Sequence, residues 1–146
     1  MSKLPVILIV DDDELNLTMA KSIIEIKIQA EIITAGSGTE CLEIIRQRRG
    51  AIDLILLDIA MPGIDGIHTL TNIRENPNYK NIKVIFLTAA ADKNTIIKAG
   101  KLKVEDYIKK PFVPDDLISR VEKQLYPSMH DQEIQDIFKA LDDLGL

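Results

Sequence analysis

Residues 5–13 read Pro-Val-Ile-Leu-Ile-Val-Asp-Asp-Asp, a β-branched apolar run that ends in three consecutive acids. Apolarity that is continuous rather than alternating is typical of a strand covered on both faces, as in a parallel sheet. A second run of this kind, residues 54–57, ends in Asp58, and a third ends in Thr88. Segments with helical periodicity separate these runs. Strands that alternate with helices predict βαβ units.

The alternation predicts an α/β fold with a doubly wound, five-stranded parallel sheet of flavodoxin-like order 2-1-3-4-5 and helices on both faces. In the first helix, Leu15, Met19, Ile23 and Ile26 fall near one stripe, and Asp13 is the expected N-cap. The predicted strands cover residues 5–10, 31–34, 53–58, 84–88 and 106–108, and the predicted helices cover residues 15–28, 39–49, 67–74, 93–99 and 113–126.

The composition excludes several classes of function. With 18 Lys and Arg against 23 Asp and Glu, the formal net charge is −5, which argues against nonspecific binding to nucleic acid or to an anionic membrane. One cysteine, Cys41, excludes a disulfide framework and a multi-cysteine zinc site, and its apolar helix face indicates core packing. His68 and His130 are isolated and expected at the surface. Because neither a signal segment nor a membrane-spanning run is visible, we expect a cytoplasmic protein.

Polar side chains are expected to meet at one edge of the sheet. Open parallel sheets bind ligands at the carboxyl ends of their strands, at the point between the first and third strands in this order. Asp11 and Asp12 end the first strand, and Asp58 ends the third. Thr88 ends the fourth strand, and Lys110 follows the fifth. Because clustered carboxylates repel one another, a cation must offset them, and oxygen ligands suit Mg²⁺. A carboxylate at this edge can also attack phosphorus.

Four motifs stand out between about residues 4 and 125. They are Ile-Leu-Ile-Val-Asp-Asp-Asp at 7–13, Leu-Leu-Asp-Ile-Ala-Met-Pro-Gly-Ile-Asp-Gly at 56–66, Val-Ile-Phe-Leu-Thr-Ala at 84–89 and Asp-Tyr-Ile-Lys-Lys-Pro-Phe at 106–112. In this order they resemble the receiver domain of two-component response regulators. The resemblance implies a stand-alone phosphorylation switch that receives phosphate from a histidine kinase or histidine phosphotransfer protein. It would signal through its fourth helix, fifth strand and fifth helix, and its only chemistry would be self-phosphorylation and self-dephosphorylation.

The resemblance also implies a phosphoacceptor and a metal site. Asp58 would accept the phosphoryl group, and Asp12 and Asp58 would bind Mg²⁺ directly. Asp11 would help through water, and Ala60 would contribute its backbone carbonyl. In this family, the side chains at the positions of Ala60 and Ala90 tune the lifetime of the phosphoryl group. Since two alanines cannot position an attacking water, we expect slow to moderate dephosphorylation.

Further roles concern the phosphoryl contacts and the switch. The resemblance implies that Thr88 and Lys110 contact the phosphoryl group, and that Tyr107 changes rotamer as Thr88 moves. The peptide bond before the proline that matches Pro111 is usually cis. Receivers often carry a glycine where this chain has Lys103, so the loop at residues 100–103 is expected to differ in shape.

We expect the chain to consist of a receiver domain, residues 1–126, and a short helical extension, residues 127–146, without an output domain. Ser128 or Asp131 is a candidate cap for this helix. Two interpretations stay open: the helix packs on its own receiver or begins a linker, or it serves dimerisation or docking to a downstream protein. Its apolar stripe consists of Ile134, Ile137, Phe138, Leu141 and Leu144.

Three alternatives remain beside the receiver. A small phosphohydrolase of the haloacid dehalogenase type would use Asp11 as its nucleophile, with Asp13 in an Asp-x-Asp motif. That alternative leaves Asp58 unexplained, and Leu15 stands where such enzymes carry Thr or Val. A receiver-fold adaptor that is never phosphorylated is a second alternative. A flavin-binding flavodoxin is disfavoured, because the first loop is acidic where a phosphate cradle is needed.

Overall fold

A parallel sheet forms the centre of the described part of the molecule. The structure, a computed structural model, describes residues 3–89 and 93–145, without the side chains at 93, 95, 96 and 128–135. The strands are β1 Val6–Val10, β2 Glu31–Ala35, β3 Leu54–Asp58, β4 Lys83–Thr88 and β5 Asp106–Lys109. They pair in parallel in the order β2-β1-β3-β4-β5, which confirms the predicted flavodoxin-like topology.

Helices connect the strands and begin and end close to the predicted residues. The five predicted helices that each follow a strand begin and end within two residues of their observed bounds. The expected N-cap of the first helix is also observed, since the Asp13 carboxylate accepts a hydrogen bond of 2.9 Å from the backbone N–H of Leu15. The helices are α1 Glu14–Lys27, α2 Gly38–Gln47, α3 Gly66–Glu75, α4 Lys93–Lys101, α5 Pro114–Leu125 and α6 Pro127–Asp143.

Two hydrophobic layers cover the sheet, one on each face. In β1, Ile7 and Ile9 point into the layer formed with α1 and α5, whereas Leu8 and Val10 point into the layer formed with α2 and α3. All four side chains have 0% exposure. Burial on both faces explains why the central strands are apolar at every position rather than at alternate positions.

The stripe predicted for α1 was wrong at three of its four positions. Only Ile23 is buried, whereas Leu15, Met19 and Ile26 are 65%, 38% and 68% exposed. The buried face of α1 runs instead through Leu17, Ala20, Ile23 and Ile24. Apolar residues lie on more than one side of this helix, so periodicity alone could not select the inner side. Packing against the sheet and α5 selects the side that carries Ala20, whose small side chain permits close approach.

Cys41 and His68 lie where the sequence places them. Cys41 is fully buried, and burial raises the pKa of its thiol to about 12, as expected for a core residue. The His68 side chain is 72% exposed. The side chain of His130 lies outside the described part of the chain.

The tail helix α6 begins earlier than either candidate cap would allow. Tyr126 is its N-cap residue, without a side-chain capping bond, and Pro127 occupies its first turn. The expectation that Ser128 or Asp131 caps this helix was therefore wrong. Proline needs no hydrogen-bond partner for its nitrogen, and its fixed φ suits a first helical turn. Among the described residues, none of the helices has the length and apolarity needed to cross a bilayer.

Candidate functional site

Three carboxylates come together where β1 and β3 end. Asp11 follows the last residue of β1, and Asp58 is the last residue of β3, in the register that pairs Val10 with Leu57. Asp11 and Asp58 are buried, and Asp12 is exposed. One oxygen of each of these three carboxylates lies within 4.8 Å of the others. The parallel register of β1 and β3 thus places three acids at one point of the sheet edge.

Lys110 supplies a positive charge to this cluster. Its ammonium nitrogen lies 2.8 Å from Asp11 Oδ2 and 3.0 Å from Asp58 Oδ1. The backbone N–H of Lys110 donates to the carbonyl of Thr88 at 2.8 Å, which holds the end of β5 beside β4. The peptide bond between Lys110 and Pro111 is cis, as the resemblance implied. Burial works to lower the pKa of Lys110, but its contacts with the two carboxylates raise that pKa overall.

The electrostatics of the cluster set Asp58 apart. Burial raises the pKa of Asp58 to about 6, with smaller contributions in the same direction from Asp11 and Asp12 and an opposing contribution from Lys110. Asp11 Oδ1 accepts a hydrogen bond of 2.9 Å from the N–H of Asp13. Asp11 Oδ2 is buried and accepts no hydrogen bond of good geometry, so its contact with Lys110 is Coulombic.

The loop after Asp58 turns sharply and contacts the backbone of Asp58. Gly66 donates its N–H to the carbonyl of Ile59 at 2.8 Å. A Cβ atom at position 66 would lie 2.4 Å from the backbone oxygen of Asp58, a distance that atoms do not adopt without displacement. Asp65 then caps α3 by accepting a bond of 2.9 Å from the N–H of His68. The glycine in this motif therefore permits a close approach of α3 to the end of β3.

A cavity of about 490 Å³ opens at this edge. Tyr107 is not among the described residues that line it; its ring is half-buried, with a centroid 6.2 Å from that of Phe86. Sequence reasoning did not identify Asn16 as a lining residue, although its position one turn after Asp12 was a signal that could have indicated it. Ala90 lies outside the described residues. The sequence-predicted residues that line the cavity are Asp11, Asp12, Asp58, Ala60, Thr88 and Lys110.

The donor set at this cavity fits a hard divalent cation. The three carboxylates offer only oxygen ligands, which Mg²⁺, Ca²⁺ and Mn²⁺ prefer. Against three negative charges the cluster has one ammonium group, and the buried Asp11 Oδ2 lacks a well-directed donor. Asp11, Asp12 and Asp58 could therefore hold a metal ion.

The sequence matches a known family over most of its length. A family model described as the response regulator receiver domain matches residues 7–122. The chain belongs to this family. Transcriptional regulatory protein YvrH of Bacillus subtilis is 32% identical to this receiver over 127 residues, which cover 87% of this chain and 52% of YvrH. The chain thus spans about half the length of that relative.

Solved structures resemble this receiver in fold. A response regulator from Chloroflexus aurantiacus superimposes with a TM-score of 0.76 at 32% identity, over 84% of this chain and 98% of that one. The Mn²⁺-bound form of response regulator Rcp1 superimposes with a TM-score of 0.71 at 26% identity, over 84% and 94%. This chain is therefore a receiver domain of two-component signalling, which confirms the resemblance drawn from the four motifs.

Proposed function

We propose that this receiver accepts a phosphoryl group on Asp58, in a Mg²⁺-dependent reaction, from a histidine kinase or a histidine phosphotransfer protein. The observation that carries the proposal is the surroundings of Asp58. Its carboxylate ends a buried strand, lies 3.0 Å from the Lys110 ammonium and faces a cavity that Thr88 also lines. A nucleophile, a fixed cation and a hydroxyl group thus share one opening large enough for a phosphoryl group.

The transfer exchanges one bond to phosphorus for another. An oxygen of Asp58 attacks the phosphorus atom of phosphohistidine, the P–N bond breaks, and its electron pair returns to the imidazole nitrogen, which takes up a proton. A pKa of about 6 leaves most Asp58 side chains ionised, and so nucleophilic, above neutral pH. Lys110 offsets negative charge on the transferred group, and the Thr88 hydroxyl can donate a hydrogen bond to one of its oxygens.

We assign the Mg²⁺ ligands to the same acids. Asp12 and Asp58 would bind the ion directly, Asp11 through water, and Ala60 through its backbone carbonyl. When bound, the ion supplies positive charge that offsets both the carboxylates and the oxygens of the incoming phosphoryl group. The excess of two negative charges in the cluster supports this assignment, as does the existence of a Mn²⁺-bound form of the related response regulator Rcp1.

The signal would leave the site through Thr88 and Tyr107. These residues lie on the neighbouring strands β4 and β5, where Tyr107 is in register with Phe86 and Lys109 with Thr88. A contact of Thr88 with a new phosphoryl group would change the packing beside Tyr107. The half-buried Tyr107 ring would then change rotamer, and the surface formed by α4, β5 and α5 would report the change to a downstream protein.

We also propose the division into a receiver, residues 1–126, and a helical extension, residues 127–146, and a cytoplasmic location. The acidic net charge does not exclude nucleic acid from the function of the protein. A relative named a transcriptional regulatory protein is longer than this chain, whose match covers 52% of it.

The deciding experiment is the intact mass of the protein after treatment with acetyl phosphate and Mg²⁺. Wild type is compared with Asp58→Asn, which removes the nucleophilic oxygen at nearly constant volume. Glu25→Gln is the matched control, because it makes the same chemical change at an exposed position on α1. We expect one labile phosphoryl group on wild type and on Glu25→Gln, and none on Asp58→Asn.

Three other results would contradict the proposal. Catalytic release of phosphate without an adduct, abolished by Asp11→Asn, would identify a phosphohydrolase that uses Asp11. Neither adduct nor turnover would identify a receiver-fold adaptor that works without phosphorylation. Peptide mapping of the adduct to residues other than Asp58 would contradict the assignment of the phosphoacceptor.

A further inference from the structure

The helix α6 carries an apolar stripe that its own chain leaves exposed. Ile137 and Phe138 are 61% and 63% exposed, and Leu141 and Leu144 are 39% and 71% exposed. On a helix these positions form one face, because residues three, four and seven apart are neighbours. We call these four residues the arm stripe. Exposed apolar side chains that are contiguous, unlike scattered ones, are typical of an interaction site.

The segment that carries the arm stripe is strongly acidic. Residues 127–146 contain five acids and one lysine, which gives this segment a formal charge of −4. Asp142 and Asp143 lie between Leu141 and Leu144 and are exposed. On the helix, Asp142 borders the arm stripe beside Phe138, whereas Asp143 lies on the far side. A surface that covers the arm stripe is therefore expected to be apolar, with basic groups at its rim.

The helix α4 provides a surface of this kind. Residues 93–104 contain four lysines and no acid, a formal charge of +4 in a chain whose net charge is −5. Lys98, Lys101 and Lys103 are exposed, and Ile97 beside them is 52% exposed. We call these four residues the lysine patch. The formal charge of residues 93–104 is equal in size and opposite in sign to that of residues 127–146.

The arm stripe and the lysine patch are both exposed in the same chain, so neither covers the other within one molecule. We propose that α6 of one protomer packs across α4 of a second copy, and that α6 of the second copy packs across α4 of the first. The arm stripe would cover Ile97, and Asp142 at the edge of the stripe would lie beside the lysines. This reciprocal arrangement is a closed two-fold dimer, the commonest symmetry of protein oligomers.

The size of the helix favours two arms over one. The helix α4 has 9 residues and is about 14 Å long, so α6 packed along it in a strip about 10 Å wide hides roughly 140 Å² on each partner. Two reciprocal arms bring the total to about 560 Å², the size of a weak, transient contact. A single arm reaches half of that. The proposed dimer is thus expected to be weak and to depend on protein concentration and on salt.

The test is sedimentation equilibrium of the full chain without phosphodonor, from micromolar to near-millimolar concentration. The arm-reversed variant is Asp142→Lys with Asp143→Lys, and the patch-reversed variant is Lys98→Glu with Lys101→Glu. Each variant alone places like charges in both contacts of its own dimer. A mixture of the two restores opposite charges in both contacts of the mixed dimer. Thermal melting verifies that both variants fold, since the changed side chains are exposed.

We expect dimerisation of wild type, a Kd raised about tenfold or more in each variant alone, and recovery of wild-type affinity in the mixture. A wild type that stays monomeric at the highest concentration would overturn the proposal. A patch-reversed variant that dimerises as well as wild type would indicate contact between two α6 helices instead. A mixture whose Kd does not return to the wild-type value would also overturn the proposal. None of these readouts depends on Asp58, so the result stands apart from the proposed phosphorylation.

Discussion

The ammonium nitrogen of Lys110 lies 3.0 Å from one carboxylate oxygen of Asp58, across the gap between the end of β5 and the end of β3. The same nitrogen lies 2.8 Å from Asp11. One ammonium group therefore contacts two buried carboxylates, and the carboxylate of a third acid, Asp12, lies beside them. The cluster therefore has more negative than positive charge. We expect this excess to determine how the site binds metal ions and protons.

Replacement of Asp12 by asparagine should remove most of the response to Mg²⁺. Asp12 is exposed, so Asp12→Asn should fold like wild type while lacking a charged ligand. Ligand binding to the native state stabilises it by RT ln(1 + [L]/Kd), about 1.4 kcal/mol at ten times Kd. We expect millimolar Mg²⁺ to raise the melting temperature of wild type and of the control Glu25→Gln, and to leave Asp12→Asn nearly unchanged. If millimolar Mg²⁺ leaves the melting temperature of wild type unchanged, the assignment of the metal site is refuted.

Replacement of Asp58 by asparagine should stabilise the metal-free protein above pH 6. The pKa of Asp58 is about 6 in the folded state, above its ordinary value of 3.8, so the folded state binds this proton more tightly. Stability from this group is therefore fully present below about pH 4 and is lost as the pH rises through 6. Two pKa units correspond to about 2–3 kcal/mol. Urea unfolding in EDTA at pH 4 and at pH 7.5 measures the difference.

In that experiment, Asp58→Asn should exceed wild type in stability at pH 7.5 and approach it at pH 4. Glu25→Gln should follow wild type at both values, because its carboxylate is exposed on α1. Equal stability of Asp58→Asn and wild type across this range would show that burial does not disfavour the ionised carboxylate.

A methyl group at position 66 should destabilise the receiver and damage the site. In Gly66→Ala the new Cβ would lie 2.4 Å from the backbone oxygen of Asp58 and 2.7 Å from Cα of Ile59, both parts of a backbone that cannot yield easily. Overpacking of this kind costs about 1–3 kcal/mol. The control is Gly100→Ala in α4, where nothing lies within 4 Å of the new atom.

Gly100→Ala should be neutral or stabilising by up to about 1 kcal/mol, since alanine is the better helix former. Chemical denaturation gives both values, and the yield of acetyl phosphate labelling reports the site. A Gly66→Ala variant with wild-type stability and labelling would mean that the loop at residues 61–66 can move away without cost.

Glycine at position 103 should stabilise the loop before β5. Lys103 has φ 59°, the left-handed region in which a side chain costs about 1 kcal/mol. The guanidinium of Arg74 holds this loop by donating to the carbonyls of Leu102 and Lys103, at 2.9 Å each. Lys103→Gly is expected to raise the free energy of unfolding by a few tenths to about 1 kcal/mol. Lys101→Gly, at the end of α4, should lower it by a similar amount. Destabilisation by Lys103→Gly would contradict this account of the strain.

The phosphorylated receiver should lose its phosphoryl group slowly. Ala60 lines the cavity beside Asp58 and has no acid, amide or cation to position an attacking water. We expect a half-life well beyond seconds in purified protein, measured by decay of the intact-mass adduct. Ala60→Asn should shorten it, and the control Ala51→Asn, exposed and outside the lining, should not. A half-life of seconds or less in wild type would reject the expectation.

The sequence predicted the strands more reliably than the buried sides of the helices. Each central strand is buried on both faces, so the four residues of β3 before Asp58 are all apolar, and the position of Asp58 at its end is unambiguous. A helix is buried on one side only. In α1, apolar residues on several sides left two stripes possible, and the choice of Leu17 over Leu15 depends on contacts with α5 that lie far away in the chain.

The sequence by itself determined the order of strands and helices, the acids at the ends of β1 and β3 and the membership of the receiver family. These are local patterns, which can be recognised wherever the period of buried residues matches the period of the helix or strand. Only the tertiary structure decided that Lys110 bridges Asp11 and Asp58, and that Gly66 touches the backbone of Asp58. Distances between residues remote in the chain follow from the parallel register and from close packing, which a linear pattern does not contain.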